Sequence, residues 1–474
     1  VTSACDLRVA EPLLEWLERG QEALESGRFG DAITSFGNAQ RLLPTDVSIA
    51  IALANVHRLA GDTVMTRSTL QTAHRDGNWS DASVAFALGS ALLDAGAPAE
   101  AASCFEHVLK SMPGNSAALG ALAGARRTMG EPAAAWPLIQ RALARASSDP
   151  ALLLTAAQIR HELGDLPGAL TWLNRADAVR PQHGPTQLQR AFTTLLHGPS
   201  AEGWRLFESR ALPVPATNAK PWRGEALNGG SVLVTAEQGV GDQFQFARFI
   251  PLLLERGAGG VTVECHADAV SLFTANGWNA IGRGTQVSTD WHVPMLSLPH
   301  WLALNDYVAG DRVPYLRAPH ASAPSAGITR RFGLVWAGNP AFPGRVTRDL
   351  DPALLPGIVG ISGIEWISLQ HGDAGMVEIG GLTRLPLRSD WAATANTLAS
   401  LDGLVTTDTG VAHLAGAMGI PTWVMLQHVP DWRWGLKGES TPWYPTVHLV
   451  RQPQARDWKH VVQSLRAQLA SMTP

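Results

Sequence analysis

Lysine is almost missing from this chain: Lys110, Lys220, Lys437 and Lys459 are the only ones in 474 residues. An anion site must therefore rest on arginine, histidine or backbone N–H groups. Charged residues of all kinds reach 16%, and the net charge is −4. With no run of Lys or Arg, the chain lacks the electrostatic footprint of a nucleic-acid binder. Cysteine is scarce as well. Cys5, Cys104 and Cys265 are odd in number, far apart and without a CxxC pair, so neither a disulfide framework nor a cysteine zinc site is supported. The opening "VTSACDLRVAEPLLEW" has no apolar leader core, and no stretch of about 18 apolar residues follows it. These absences predict a soluble, cytoplasmic protein without membrane insertion.

What is present is periodic. Gly27, Gly61, Gly96, Gly130 and Gly164 recur at intervals of 34 or 35 residues. Five positions after most of them stands a small residue (Ala32, Ala101, Ala135, Ala169, with Thr66 as the exception), and nine after, a large apolar one: Phe36, Leu70, Phe105, Ile139, Leu173. Pro44, Pro113 and Pro181 close three of the units. The glycine ends one helix, the small residue lets two helices touch, and the proline stops the second. This pattern resembles the tetratricopeptide repeat, a helix–turn–helix unit of about 34 residues. Five units are expected over 13–183, the second degenerate, with "GWRLFESR" (203–210) capping a solenoid that spans 1–212. A solenoid offers a long concave surface suited to a peptide or protein.

The texture changes after residue 212. The segment 213–229, rich in Pro, Gly and Asn, reads as a linker. Short β-rich runs then alternate with helical stretches: "GSVLVTAE", "GVTVECHA", "RFGLVWAG", "IEWISLQ", "GLVTTD" and "PTWVML". That alternation predicts two doubly wound α/β domains, at 230–320 and 326–474, after the loop "APHASAPSAG". Sites in such domains lie where the carboxyl ends of the strands point.

Four stretches carry candidate chemistry. In "AEQGVGDQFQFARF" the pair Gly239 and Gly241 is half of a dinucleotide fingerprint, with Phe244 where a third glycine would stand. Asp242, on the same turn, reads either as a helix cap or as a base aimed into a cleft. In "VWAGNPAFPGRVTRDLDP" Gly338 and Asn339 permit a tight turn, Arg345 and Arg348 are candidate phosphate ligands or a solvated loop, and Asp349-Leu350-Asp351 reads as capping rather than as a metal motif. In "TTDTGVAHLAGAMG" a strand hands over to a helix at Thr409 and Gly410. The N–H groups of 409–411 lack intrahelical partners and carry the positive end of the helix dipole. Asp408 is assigned to cap and orient that turn, and His413 either to donate to a ligand oxygen or to pack. Finally, "HVPDWRWGLKGESTPWYP" holds Trp432, Trp434, Trp443 and Tyr444, which read as a sugar or base platform or as packing between domains.

Together, "AEQGVGDQFQFARFIP", "VPMLSLP", "FGLVWAGNP", "SLQHGD", "TTDTGVAHLAGAMGIPTWVML", "PDWRW" and "PWYP" resemble the bacterial tetratricopeptide-repeat glycosyltransferases, whose transferase half is similar to the lipopolysaccharide heptosyltransferases. The resemblance implies a GT-B fold, two Rossmann-like domains behind the solenoid, and an inverting, metal-independent transferase that uses a nucleotide-sugar as co-substrate and needs no cofactor. It places the catalytic base at Asp242. It places the donor diphosphate on Asp408, Thr409, Gly410, Val411 and His413, with Gly338, Asn339, Arg348 and Gln370 also on the donor side. Gln238, Gly241, Trp432 and Trp443 become candidate sugar or acceptor contacts. Phe342 and His371 depart from the histidine and lysine common in relatives, and both bear on donor identity. The implied acceptor is a Ser or Thr hydroxyl of a protein, such as flagellin or a surface protein, held by the array. A lipid-linked or polysaccharide acceptor, and a non-catalytic scaffold with a decayed transferase half, remain as alternatives.

Overall fold

The computed structural model describes residues 4–76, 82–305, 312–320, 329–340, 342, 344–385 and 390–470; most of the loop expected at 318–327 lies outside them. The chain divides into two compact units, 1–163 with 174–179, and 164–173 with 180–474.

The N-terminal part is a helical solenoid. Its helices come in pairs: Ala4–Glu25 with Phe29–Leu42, Val47–Leu59 with Thr63–Asp76, Ala82–Asp94 with Pro98–Ser111, Ser116–Thr128 with Pro132–Leu143, and Pro150–Glu162 with Leu166–Val179. The periodic glycines are the turns within the pairs. Gly27, Gly61, Gly96, Gly130 and Gly164 all adopt φ between 70° and 81°, a left-handed conformation that an L side chain resists. The small residues after them, Ala32, Ala101, Ala135 and Ala169, are fully buried where paired helices meet, as are Phe105 and Ile139. A further pair, Gly184–Leu195 and Ala201–Phe207, belongs to the second unit, where Ala191, Leu195, Trp204 and Phe207 join its core.

That second unit carries two sheets. The strands are β1 (Lys220–Pro221), β2 (Ser231–Thr235), β3 (Gly260–Cys265), β4 (Asn279–Gly282), β5 (Trp291–Pro294), β6 (Arg330–Val335), β7 (Ile364–Ser368), β8 (Leu382–Arg384), β9 (Gly403–Thr407), β10 (Thr422–Leu426), β11 (Ser440–Thr441) and β12 (Tyr444–Arg451). The first sheet has the order β1-β5-β2-β3-β4 and is parallel throughout. The second runs β11-β12-β10-β9-β6-β7-β8, parallel except for the β11–β12 edge. Central strands β9 and β10 are buried along their whole length, as expected of strands covered on both faces by helices. The segment read as a linker is partly structural: β1 extends the first sheet, and Trp222 is buried beside it.

One hydrophobic core runs through both sheets of this unit, from Val232, Val234 and Phe244 to Leu404, Leu414 and Val424. A separate cluster, with Trp366, Val461 and Leu465, backs the second sheet. Among the described residues no helix is long and apolar enough to cross a membrane.

A candidate active site at two strand-to-helix turns

Strand β2 ends in the turn 236–239, and helix Val240–Phe246 follows. Gln238 holds a left-handed φ of 54°, which turns the chain sharply into that helix. The Gly239 N–H donates to Asp242 Oδ2 at 2.9 Å, the reach-back half of a capping box. Gly239, not Asp242, is the N-cap; Asp242 braces the helix start from the N3 position and uses only one oxygen to do so. The other oxygen accepts a hydrogen bond from Arg433 Nη2.

Strand β9 ends in the second turn. Helix Gly410–Met418 starts there, with Thr409 as its N-cap in an extended conformation and without a side-chain capping bond. Thr409 Oγ1 instead shares a hydrogen bond with Thr406 Oγ1 at 2.8 Å. Asp408, assigned to orient the turn, does not cap it; its Oδ1 lies 3.9 Å from His413 Nε2. Burial and the nearby Asp431 raise the Asp408 carboxyl above its ordinary range, against the opposing pull of Arg348 and Arg433.

The two turns meet. A Cβ added to Gly241 would lie 3.0 Å from Gly410 Cα and 3.0 Å from His413 Cδ2. A Cβ on Gly410 would in turn touch Trp391, Val240 and the Gly241 amide. These glycines therefore serve the close approach of two helix starts. A side chain at Gly410 would thus face protein. The N–H groups of 409–411 remain the ones a helix start leaves without intrahelical acceptors.

His413 is buried, stacked on Trp434 with ring centroids 5.1 Å apart, and its Nδ1 is 3.0 Å from the Tyr444 hydroxyl. Burial, with Arg433 and Arg248 nearby, drives its pKa well below the usual value, so it is neutral at physiological pH. Of its two readings, packing is the one observed. Tyr444 reaches the helix because Gly416 has no side chain: a Cβ there would be 2.6 Å from the ring.

The tryptophans are core rather than platform. Trp432 is 5% exposed and Trp443 1%, and Trp432 packs against Trp204, Phe207, Phe246 and Trp443 with centroids 5.5–6.5 Å apart. Neither ring presents a face to a ligand, which corrects the expectation of sugar or acceptor contacts. Loop sequence alone cannot report this, because the partners lie about two hundred residues away.

On the donor side, Gln370 is occupied. Its Oε1 accepts from the Trp336 and Ala337 N–H groups at 2.9 Å, and its Nε2 donates to the carbonyls of Ala337 and His371. It pins the turn after β6 and has little left for a ligand. The Asn339 carbonyl accepts from Phe342 N–H at 3.0 Å, closing the tight turn that was read there. Arg348 lies across that turn; a Cβ on Gly338 would run into its guanidinium. Phe342, at the position where relatives carry histidine, lies under the same guanidinium, 4.4 Å from ring centroid to Cζ. Arg348 Nε is buried and has no hydrogen-bond partner among the described residues. Asp351 caps the following turn, accepting from the Ala353 N–H. Beside these residues a cavity of about 430 Å³ opens at the carboxyl ends of β7 and β8, lined by Gln370, His371, Met376, Arg384, Leu385 and Thr394 among others.

Two residues of this centre were passed over in the sequence. Arg433 is almost fully buried; besides Asp242 it donates to Asp431 Oδ1 at 2.8 Å and Gln245 Oε1 at 2.9 Å. Arg248 is fully buried and donates to the Trp443 carbonyl and the Tyr315 hydroxyl, holding the tryptophan loop in place. For Arg433 a signal was available: an arginine between two tryptophans in "PDWRW" has no solvated face to occupy. Among the described residues no group of three or more His, Cys, Asp or Glu could hold a metal ion.

With this arrangement in view, the chain can be set beside known proteins. The family model of the tetratricopeptide repeat matches residues 86–150 and 121–183, so the helical part contains repeats of that class. Protein FlbA of Caulobacter vibrioides is 24% identical over 352 residues, covering 63% of this chain; the chain spans 58% of that relative's length. Among solved structures, MamA is 15% identical with a TM-score of 0.32, covering 36% of this chain and 92% of that one. Pseudomonas aeruginosa pilF is 17% identical with a TM-score of 0.35, covering 43% of this chain and 87% of that one.

Proposed function

We propose that the chain is an inverting, nucleotide-sugar-dependent glycosyltransferase of the GT-B type. Residues 230–320 form its acceptor-side Rossmann-like domain and 326–474 its donor-side one, and the repeats recruit a protein acceptor. One observation carries the reading: Gly241, next to Asp242 on the turn that leaves the first sheet, stands against the start of helix Gly410–Met418, which leaves the second. Two parallel sheets would then bring a base and an anion-binding helix start together at their carboxyl ends.

In this reading the donor diphosphate lies on the N–H groups of 409–411, with Arg348 beside it, and the nucleoside occupies the cavity at β7 and β8. A volume of about 430 Å³ falls within the range of small-molecule sites. Asp242 accepts the proton of an acceptor hydroxyl. The hydroxyl oxygen bonds to the anomeric carbon from the face opposite the diphosphate as the bond to the leaving phosphate oxygen breaks. The helix dipole and Arg348 stabilise the charge on that oxygen. Burial raises the Asp242 carboxyl above its ordinary range while Arg433 opposes the rise, so its basicity depends on the guanidinium.

Thermal unfolding with UDP, GDP, ADP, CMP and their sugars tests the donor half. A true donor at 100 times its Kd stabilises the protein by about 2.7 kcal/mol. Asp242→Asn should keep that shift and lose transfer by roughly 10²–10⁴-fold; undiminished transfer removes Asp242 from the mechanism. The scaffold reading draws on Gln370, whose amide is spent on the backbone. Absence of a shift with every nucleotide would favour it.

A further inference from the structure

Arg433 sits among more acid than it can neutralise. It donates directly to Asp242 and Asp431, and Asp408 is close enough to feel its charge. Glu237, on the turn after β2, also faces Asp242, but it has its own counter-ion: Arg210 holds it with two hydrogen bonds of 2.7 and 2.8 Å. From the helix of the second turn, neutral His413 faces the same guanidinium, with Arg248 behind it. Asp242, Asp431 and Asp408 thus share Arg433, and Asp408 alone also feels Arg348.

A diphosphate on this turn would add at least two negative charges to that group. Guanidinium prefers phosphate oxygens that it can meet with two N–H groups at once. Its present bond to Asp242 comes from the single nitrogen Nη2. A buried carboxylate that loses its cation binds a proton more tightly.

Resting on the donor reading above, we propose that Arg433 couples the two halves of the site: a diphosphate at 409–411 draws the guanidinium away from Asp242, and the carboxylate becomes a stronger base when the donor is in place. Arg433 is then a positioning residue, and Asp242 is a weaker base while its ion pair holds than after the guanidinium has moved. The arrangement would restrain proton abstraction from an acceptor hydroxyl until the donor is seated.

The test is a proton count on the full chain. Inorganic pyrophosphate, UDP, GDP and ADP are titrated calorimetrically between pH 6 and 7, in buffers of different ionisation enthalpy, into the wild type, Asp242→Asn and Arg433→Gln. The wild type should take up more protons on binding than Asp242→Asn, by up to one per site. Arg433→Gln should lose the same excess and bind pyrophosphate at least tenfold more weakly. Protons exchanged by the probe itself occur in every arm and cancel in the difference. Equal proton counts in wild type and Asp242→Asn overturn the coupling and leave the donor reading standing. Failure of all four probes to bind overturns both. Should Arg433→Gln not fold, the comparison with Asp242→Asn decides alone.

Discussion

A carboxylate at the end of a buried strand carries a cost that depends on pH, and Asp408 is such a residue. Burial and Asp431 raise its pKa in the folded chain, so the native state holds its proton to higher pH than the unfolded state does. Its favourable contribution is complete below the unfolded carboxyl pKa, about 3.9, and is lost as pH rises through the folded value. Asp408→Asn, which never ionises, should therefore stabilise the protein at pH 8 by about 1–3 kcal/mol. The gain should shrink on acidification to pH 5, as read from urea unfolding at both values. A gain unchanged between the two pH values would mean that ionisation is not the cause. The same titration would make anion binding at this turn stronger as pH falls, since a neutral Asp408 no longer repels a phosphate.

The helix starts Val240–Phe246 and Gly410–Met418 approach so closely that one methyl group decides whether they fit. Gly241→Ala would put its Cβ against Gly410 Cα and His413, both held by packed neighbours, and should cost about 1–3 kcal/mol as overpacking. Gly239→Ala is its control, because the nearest atom there is Asp242 Oδ2 at an ordinary 3.4 Å; denaturant midpoints should separate the two variants. At this scale the sequence was partly legible. The solenoid glycines, the small residues behind them and strands β2, β3, β6, β7, β9 and β10 are local patterns, visible because their cause lies within a few residues. Strands β4, β8 and β12 were not visible, and neither was the Asp242–Arg433 pair, whose partners stand 191 positions apart. The tryptophan loop was left undecided between platform and packing for the same reason. Its composition suits a platform as well as a core, and only the distant rings of Trp204 and Phe246 decide for the core.

At the scale of the whole chain, the working border between repeats and α/β part does not follow the sequence repeat. The last repeat-like segment before 183 is divided: 164–173 count with the second unit and 174–179 with the first. Leu166 is buried in the core that also holds Trp204 and Phe244, so a truncation at 183 would strip a buried side chain from the part it is meant to isolate. A chain beginning at Gly164 keeps that residue, whereas one beginning at Gly184 should lose about 2–5 kcal/mol for the core side chain alone. If the repeats recruit a protein acceptor, the 164–474 chain should show the same thermal shift with the donor nucleotide as the full chain. It should also retain slow hydrolysis of the nucleotide-sugar, and fail to label protein in an extract that the full chain labels with radioactive sugar. Full labelling by 164–474 would remove recruitment from the role of the repeats and leave them to assembly, while loss of the nucleotide shift would show that the donor site depends on residues before 164.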